Sequence, residues 1–94
     1  MLMKYEWDEA KRKSNREKHR VDFAEVEGFD WETALVIPDT RADYGEPRYR
    51  AMGVVDKRLY ALVFTPRSGT IRVVSLRKAN PREVKCYEAN QECD

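Results

Sequence analysis

His19 is the only histidine in the chain of 94 residues, and Lys11 and Lys18 precede it. An imidazole with an ordinary pKa near 6.5 can take or give a proton close to neutral pH. Arg48, Arg72 and Arg77 fall in stretches that read as strands. A guanidinium is a planar fork that can grip two phosphate oxygens at once. A cation held where negative charge develops is often the largest catalytic contribution. Proton transfer and phosphate stabilisation are therefore the chemistry these residues can offer. Each also has an ordinary structural use. A histidine near a helix C-terminus interacts favourably with the helix dipole. Arginines on strands guard exposed sheet edges against aggregation.

The charge distribution bears on the same question. The net charge is only +1. From Met1 to Glu46, however, 8 Lys/Arg stand against 12 Asp/Glu, a net of −4. From Pro47 to Tyr87, 10 Lys/Arg stand against Asp56 and Glu83, a net of +8. A basic half of this kind attracts phosphate, or it is a solvated sheet surface. Two cysteines, Cys86 and Cys93, form no CxxC pair and have no histidine cluster beside them, so free thiols and no metal are expected. No cofactor is indicated. No apolar run reaches the length of a signal peptide core or a membrane span, so a soluble, cytoplasmic protein is expected.

Positioning such residues takes a small α+β fold. Leu2 to Trp7 reads as a short strand. Asp8 caps a helix that runs to about Lys18 or His19. Lys11, Asn15, Lys18 and His19 share one face of it, and that face is polar, so it should not point into a core. Asp22 and Glu25 form a capping box for a second short helix ending near Gly28 or Phe29, with Val21 and Val26 as a hydrophobic staple. Ala34 to Ile37 is a strand, and residues 39–47 form a loop. Arg48 to Val55 and Leu59 to Thr65 are strands joined around Asp56-Lys57. Pro66 to Gly69 is a turn, and Thr70 to Leu76 is the last strand. Asn80, Pro81 and Glu83 open a final helix whose Val84 and Tyr87 should face the sheet. The order β-α-α-β-β-β-β-α suggests an antiparallel sheet with helices packed on one face.

Two consequences of strand alternation follow. The strand from Leu59 to Thr65 is apolar on both faces, so either the sheet curls on its own core or a second protein covers one face. On a regular strand Arg72 and Arg77 lie on opposite faces, so only one of them meets a given phosphate. The other would bind a partner or hold the last helix through Glu83.

The sequence resembles the BrnT toxin family. Trp7-Asp8 followed by Lys11, Asn15 and Lys18-His19 is similar to its N-terminal pattern W-D-x-x-K, N, K-H. Arg48 with Gly53 looks like its R-x-x-x-x-G strand, and residues 72–79 resemble its R-I-I-S-A-R-x-A segment. Glu83 and Tyr87 match the E-x-x-x-Y of the last helix. Two positions depart from the pattern: Arg20 stands where the family has Gly, and Leu76 where it has Ala. Gly suits the left-handed residue that often ends a helix, so Arg20 implies strain or a different turn.

The resemblance implies a RelE-like fold and a toxin of a type II toxin–antitoxin system that cleaves RNA without a metal and blocks translation. It also implies a ribbon-helix-helix antitoxin (BrnA-like) as partner, with promoter DNA bound only through that antitoxin. RNA carries its own nucleophile, the 2′-hydroxyl. Such an enzyme must remove the hydroxyl proton, stabilise the phosphate and protonate the leaving oxygen. On this reading His19, Arg48, Arg72 and Arg77 are the catalytic candidates, and Lys11, Lys18 and Lys78 bind RNA. Glu83 and Tyr87 are proton-transfer candidates or structural. Two other readings stand beside it: a non-catalytic module that binds nucleic acid or protein, and a regulatory subunit that strengthens the antitoxin's grip on DNA.

Overall fold

The structure is a computed structural model that describes residues 3–91. The chain forms strand β1 (Tyr5–Glu6), helix α1 (Glu9–His19), a 3-10 helix (Phe23–Gly28), strands β2 (Leu35–Pro38), β3 (Tyr49–Val55), β4 (Arg58–Arg67) and β5 (Thr70–Lys78), and helix α2 (Pro81–Glu88). Leu2, expected in the first strand, lies outside the described residues.

The five strands make one sheet in the order β1-β5-β4-β3-β2. Pairs from β2 to β5 are antiparallel, but β1 runs parallel to β5, so the sheet is mixed rather than purely antiparallel. A parallel pair needs a long crossover, and here everything between β1 and β5 supplies it. The β3–β4 hairpin turns on Asp56 and Lys57, both left-handed, as a two-residue turn of matching twist requires. The expected turn at 66–69 is shorter, since β4 continues through Pro66 and Arg67. Proline is tolerated there because pairing with β3 ends at Tyr49–Phe64, so nothing on that side needs its missing N–H.

One face of the sheet is packed. Val21, Phe23, Val26 and Phe29 bury against Ala51, Leu62, Phe64, Val73 and Leu76. Phe29 lies so close to β3 that a Cβ on Gly53 would come within 2.4 Å of its ring. Val21 and the 3-10 helix are pinned by the Asp22–Glu25 capping box and by Arg12, whose Nε and Nη2 donate to the two Asp22 oxygens at 2.9 and 3.0 Å. That pair holds the Asp22 carboxyl down at about 2, chiefly through the Arg12 hydrogen bond.

Helix α1 packs on β5 through a polar contact. Asn15 is 7% exposed, the one buried residue of the helix. Its Nδ2 donates to the carbonyls of Leu76 and Val21 at 2.7 and 3.0 Å, and its Oδ1 accepts from the Leu76 N–H at 3.3 Å. The carboxamide thus pairs both backbone groups of Leu76 as a neighbouring strand would. The face carrying Asn15 does point inward at that position, against the expectation from its polarity. Burial is possible because both ends of the amide are satisfied.

Helix α2 differs from the expectation as well. It contains no fully buried residue, and Val84 and Tyr87 are only half-buried. It is held by polar contacts at its two ends. Arg77 grips Glu83 with Nη1–Oε1 at 2.7 Å and Nη2–Oε2 at 2.8 Å. The Tyr87 hydroxyl donates to the Thr33 carbonyl at 2.9 Å. Cys86 is disulfide-bonded, so the free thiol expected there is absent; Cys93 lies outside the described residues.

Candidate functional site

The face of the sheet away from α1 carries the arginines, and a bulge is what gathers them. Along β4–β5, Val63 pairs with Ser75 but Phe64 pairs with Val73, so Val74 is an extra residue in β5. One inserted residue reverses the alternation of side chains. Ile71, Val73 and Leu76 therefore all face the core, and Arg72, Ser75 and Arg77 all face the other way. The expectation that Arg72 and Arg77 lie on opposite faces is overturned, because it assumed an unbroken strand.

Cross-strand register extends this surface. Arg77 is opposite Ala61, Ala61 opposite Met52, and Met52 opposite Leu35. Ser75 is opposite Val63, Val63 opposite Arg50, and Arg50 opposite Ile37. Arg72 is opposite Thr65. These rows make a groove of about 490 Å³ with an apolar floor and basic walls. Arg41, Arg48, Arg50, Arg77 and Arg82 line it, together with Glu83. The two-sided apolar character of β4 is thereby accounted for: Tyr60, Leu62 and Phe64 enter the core, while Ala61 and Val63 form the groove floor.

The cations are in different states. Arg77 is engaged on both prongs by Glu83, which raises its pKa and lowers that of Glu83. Arg72 is paired with Glu6 at 2.7 Å and is not among the groove-lining residues. Arg41 is held by Asp39 with two hydrogen bonds of 2.8 Å; the Asp39 side chain is fully buried and its carboxyl is lowered to about 2, first by the Arg41 hydrogen bond. Arg48 and Arg50 contrast with these. Both have a buried Nε without a hydrogen-bond partner among the described residues. Arg48 is stacked 3.7 Å above the Tyr44 ring, which fixes the plane of its guanidinium. Buried donors are nearly always satisfied in folded proteins. Two such donors in one groove mark a place where an acceptor-rich ligand fits.

His19 is not among the groove-lining residues. It is half-buried at the C-terminal end of α1, which packs on β5. Burial lowers its pKa below 6.5, with smaller contributions from Lys18 and Arg77, so it is mostly uncharged at neutral pH. Lys11, Lys18 and Lys78 are exposed and outside the groove lining. Among the described residues no group of three or more His, Cys, Asp or Glu is arranged to hold a metal ion. No helix there is long and apolar enough to cross a membrane.

Three groove arginines, Arg41, Arg50 and Arg82, were missed from sequence, Arg82 because it reads only as part of the opening of the last helix. Arg50 follows Arg48 by two residues, so the alternation that gives Arg48 its face gives Arg50 the same one. That signal was available. Arg41 sits in a loop and is brought in by Asp39, and nothing in the spacing announces it.

The α+β fold thus has a sheet packed on one face and an arginine-walled groove on the other. The family model described as ribonuclease toxin, BrnT, of type II toxin–antitoxin system matches residues 7–83. The chain belongs to this family of ribonuclease toxins. No curated protein matches it.

Proposed function

We propose that the chain is a metal-independent endoribonuclease that cleaves RNA by attack of the 2′-hydroxyl, and that its substrate lies in the arginine groove. The observation that carries this reading is the pair Arg48 and Arg50, whose buried Nε groups lack partners. These two are assigned to the scissile phosphate, where fixed cations stabilise developing negative charge without a metal. Arg77, clamped by Glu83, holds the groove wall and α2 in place. Arg72 and the exposed Lys11, Lys18 and Lys78 add attraction for the RNA backbone. His19 is assigned to accept the 2′-hydroxyl proton, for which its uncharged state at neutral pH is suited. The 2′-hydroxyl adjoins the scissile phosphate, so that role requires the phosphate to lie at the Arg77 end of the groove, where His19 can reach the hydroxyl, and the departing 5′-oxygen takes its proton from solvent.

The cellular side of the proposal is inhibition of translation, relieved by a BrnA-like ribbon-helix-helix antitoxin, on a fold read as RelE-like. Induced expression of the chain tests it through growth and RNA integrity, with and without a co-expressed ribbon-helix-helix antitoxin of the BrnA type. The expected result is arrest with fragmented RNA, reversed by the antitoxin and absent in Arg50→Ala. Arrest with intact RNA would instead support a non-catalytic binding module.

A further inference from the structure

Arg48 lines not one cavity but two. Its far side borders a shallow cavity built by the 39–47 loop, whose walls include Pro38, Tyr44, Pro47 and Tyr49 together with the carboxylates of Asp43 and Glu46. This loop is anchored. The Asp39 side chain is fully buried and its N–H donates to the Arg48 carbonyl at 2.8 Å. Gly45, left-handed at φ 73°, donates its N–H to the Asp43 side chain at 3.0 Å, a turn that directly follows Tyr44. Tyr49 is stacked on the core residue Phe64 at 5.7 Å. The aromatic and proline rings therefore sit on a fixed scaffold beside the guanidinium that faces the groove.

We propose that this second cavity is a nucleobase subsite, in which the base next to the scissile phosphate stacks on the face of Tyr44 that Arg48 does not cover. The inference rests on the ribonuclease reading and adds to it the element that positions the substrate. In RNA a base with two flat π-faces lies one sugar away from a phosphate that offers two acceptor oxygens. The protein presents the matching sequence of surfaces: a guanidinium with an unpartnered Nε, and an aromatic ring in contact with it. Stacking on an aromatic ring accepts any base, because every base has a π-face. Arg48 then has a double role, since its contact with Tyr44 orients both the cation and the ring. Tyr44 is a positioning residue and takes no part in bond making.

The test uses the full chain and short fluorescent oligoribonucleotides, each with a single abasic nucleotide at one position around the cut. Wild type should lose about 10-fold or more in cleavage rate when one particular flanking base is removed, a size typical of one stacked base. Tyr44→Ala should lose a similar factor on the intact oligonucleotide and nothing further on that abasic one. Tyr44→Phe should retain the wild-type pattern. Arg48→Ala should lose rate on both substrates, which separates phosphate binding from stacking. Equal cleavage of all abasic oligonucleotides by wild type would overturn the subsite while leaving the ribonuclease reading intact. The same holds if Tyr44→Ala loses equal rate on intact and abasic RNA. No cleavage of any oligonucleotide by wild type would overturn both.

Discussion

Arg20 closes α1 at φ 61° and ψ 28°, a left-handed conformation that suits Gly and strains a residue with a Cβ. Its N–H still donates to the Arg16 carbonyl at 2.9 Å, so the helix end is formed and the strain is borne. Arg20→Gly should therefore stabilise the protein, by about 1 kcal/mol after the extra freedom of glycine in the unfolded chain is counted. Thermal unfolding would show this as a melting temperature higher by several degrees, and a lower one would contradict the account. His19 offers a second residue-scale test. His19→Gln should slow RNA cleavage by about 10²-fold with the fold retained. Unchanged cleavage would remove it from the mechanism. Much at this scale was legible: the caps at Asp8, Asp22 and Asn80 accept the hydrogen bonds that their residue types suggest. Pairing states were legible only in part: a strand arginine holding the last helix through Glu83 was expected, and Arg77 does so, whereas the buried Nε that Arg50 leaves without a partner depends on neighbours from other strands.

At the scale of elements, strand positions could be read from apolar alternation, and the β3–β4 hairpin from Asp56-Lys57. The bulge at Val74 could not. Val73 and Val74 are both β-formers, and no glycine marks the irregularity. Yet that single extra residue decides that Arg72 and Arg77 share a face. Likewise the parallel pairing of β1 is a tertiary outcome of two residues reaching Ile71 and Arg72. The role of Asn15 was hidden for a related reason: a polar side chain reads as exposed unless its partners are known, and these are backbone groups at Leu76, 61 positions away. Asn15→Leu should destabilise the protein by about 1–3 kcal/mol despite its greater hydrophobicity, because Leu76 loses its edge partner in a buried place. Denaturant unfolding measures this, and a variant as stable as wild type would show that α1 docks without the amide.

For the whole molecule, the basic run from Pro47 to Tyr87 left phosphate attraction and a solvated sheet surface both open, and it supplies four of the five arginines that line the groove. The acidic first half neutralises it in net charge while contributing the buried Asp39 and the half-buried Asp22. Both carboxyls are lowered from 3.8 to about 2 in the folded state. Their stabilising contribution is thus complete above about pH 4 and is lost as pH falls toward 2. His19 adds a milder slope of the same sign: its pKa is lowered on folding, so acidification below about 6.5 favours the unfolded chain. Stability measured against pH should fall in two stages, and His19→Gln should flatten the first while leaving the second. A single transition unaffected by His19→Gln would contradict this assignment.

If Arg48 and Arg50 stabilise the scissile phosphate without a metal, the rate of RNA cleavage in EDTA should show it for wild type and for the Ala and Lys variants at each position. Wild type should cleave at full rate. Ala should lose about 10²-fold or more, as for removal of one transition-state donor. Lys, which keeps the charge but not the planar fork, should recover little of that loss. Cleavage abolished by EDTA, or Ala variants at both positions that cut as fast as wild type, would contradict it.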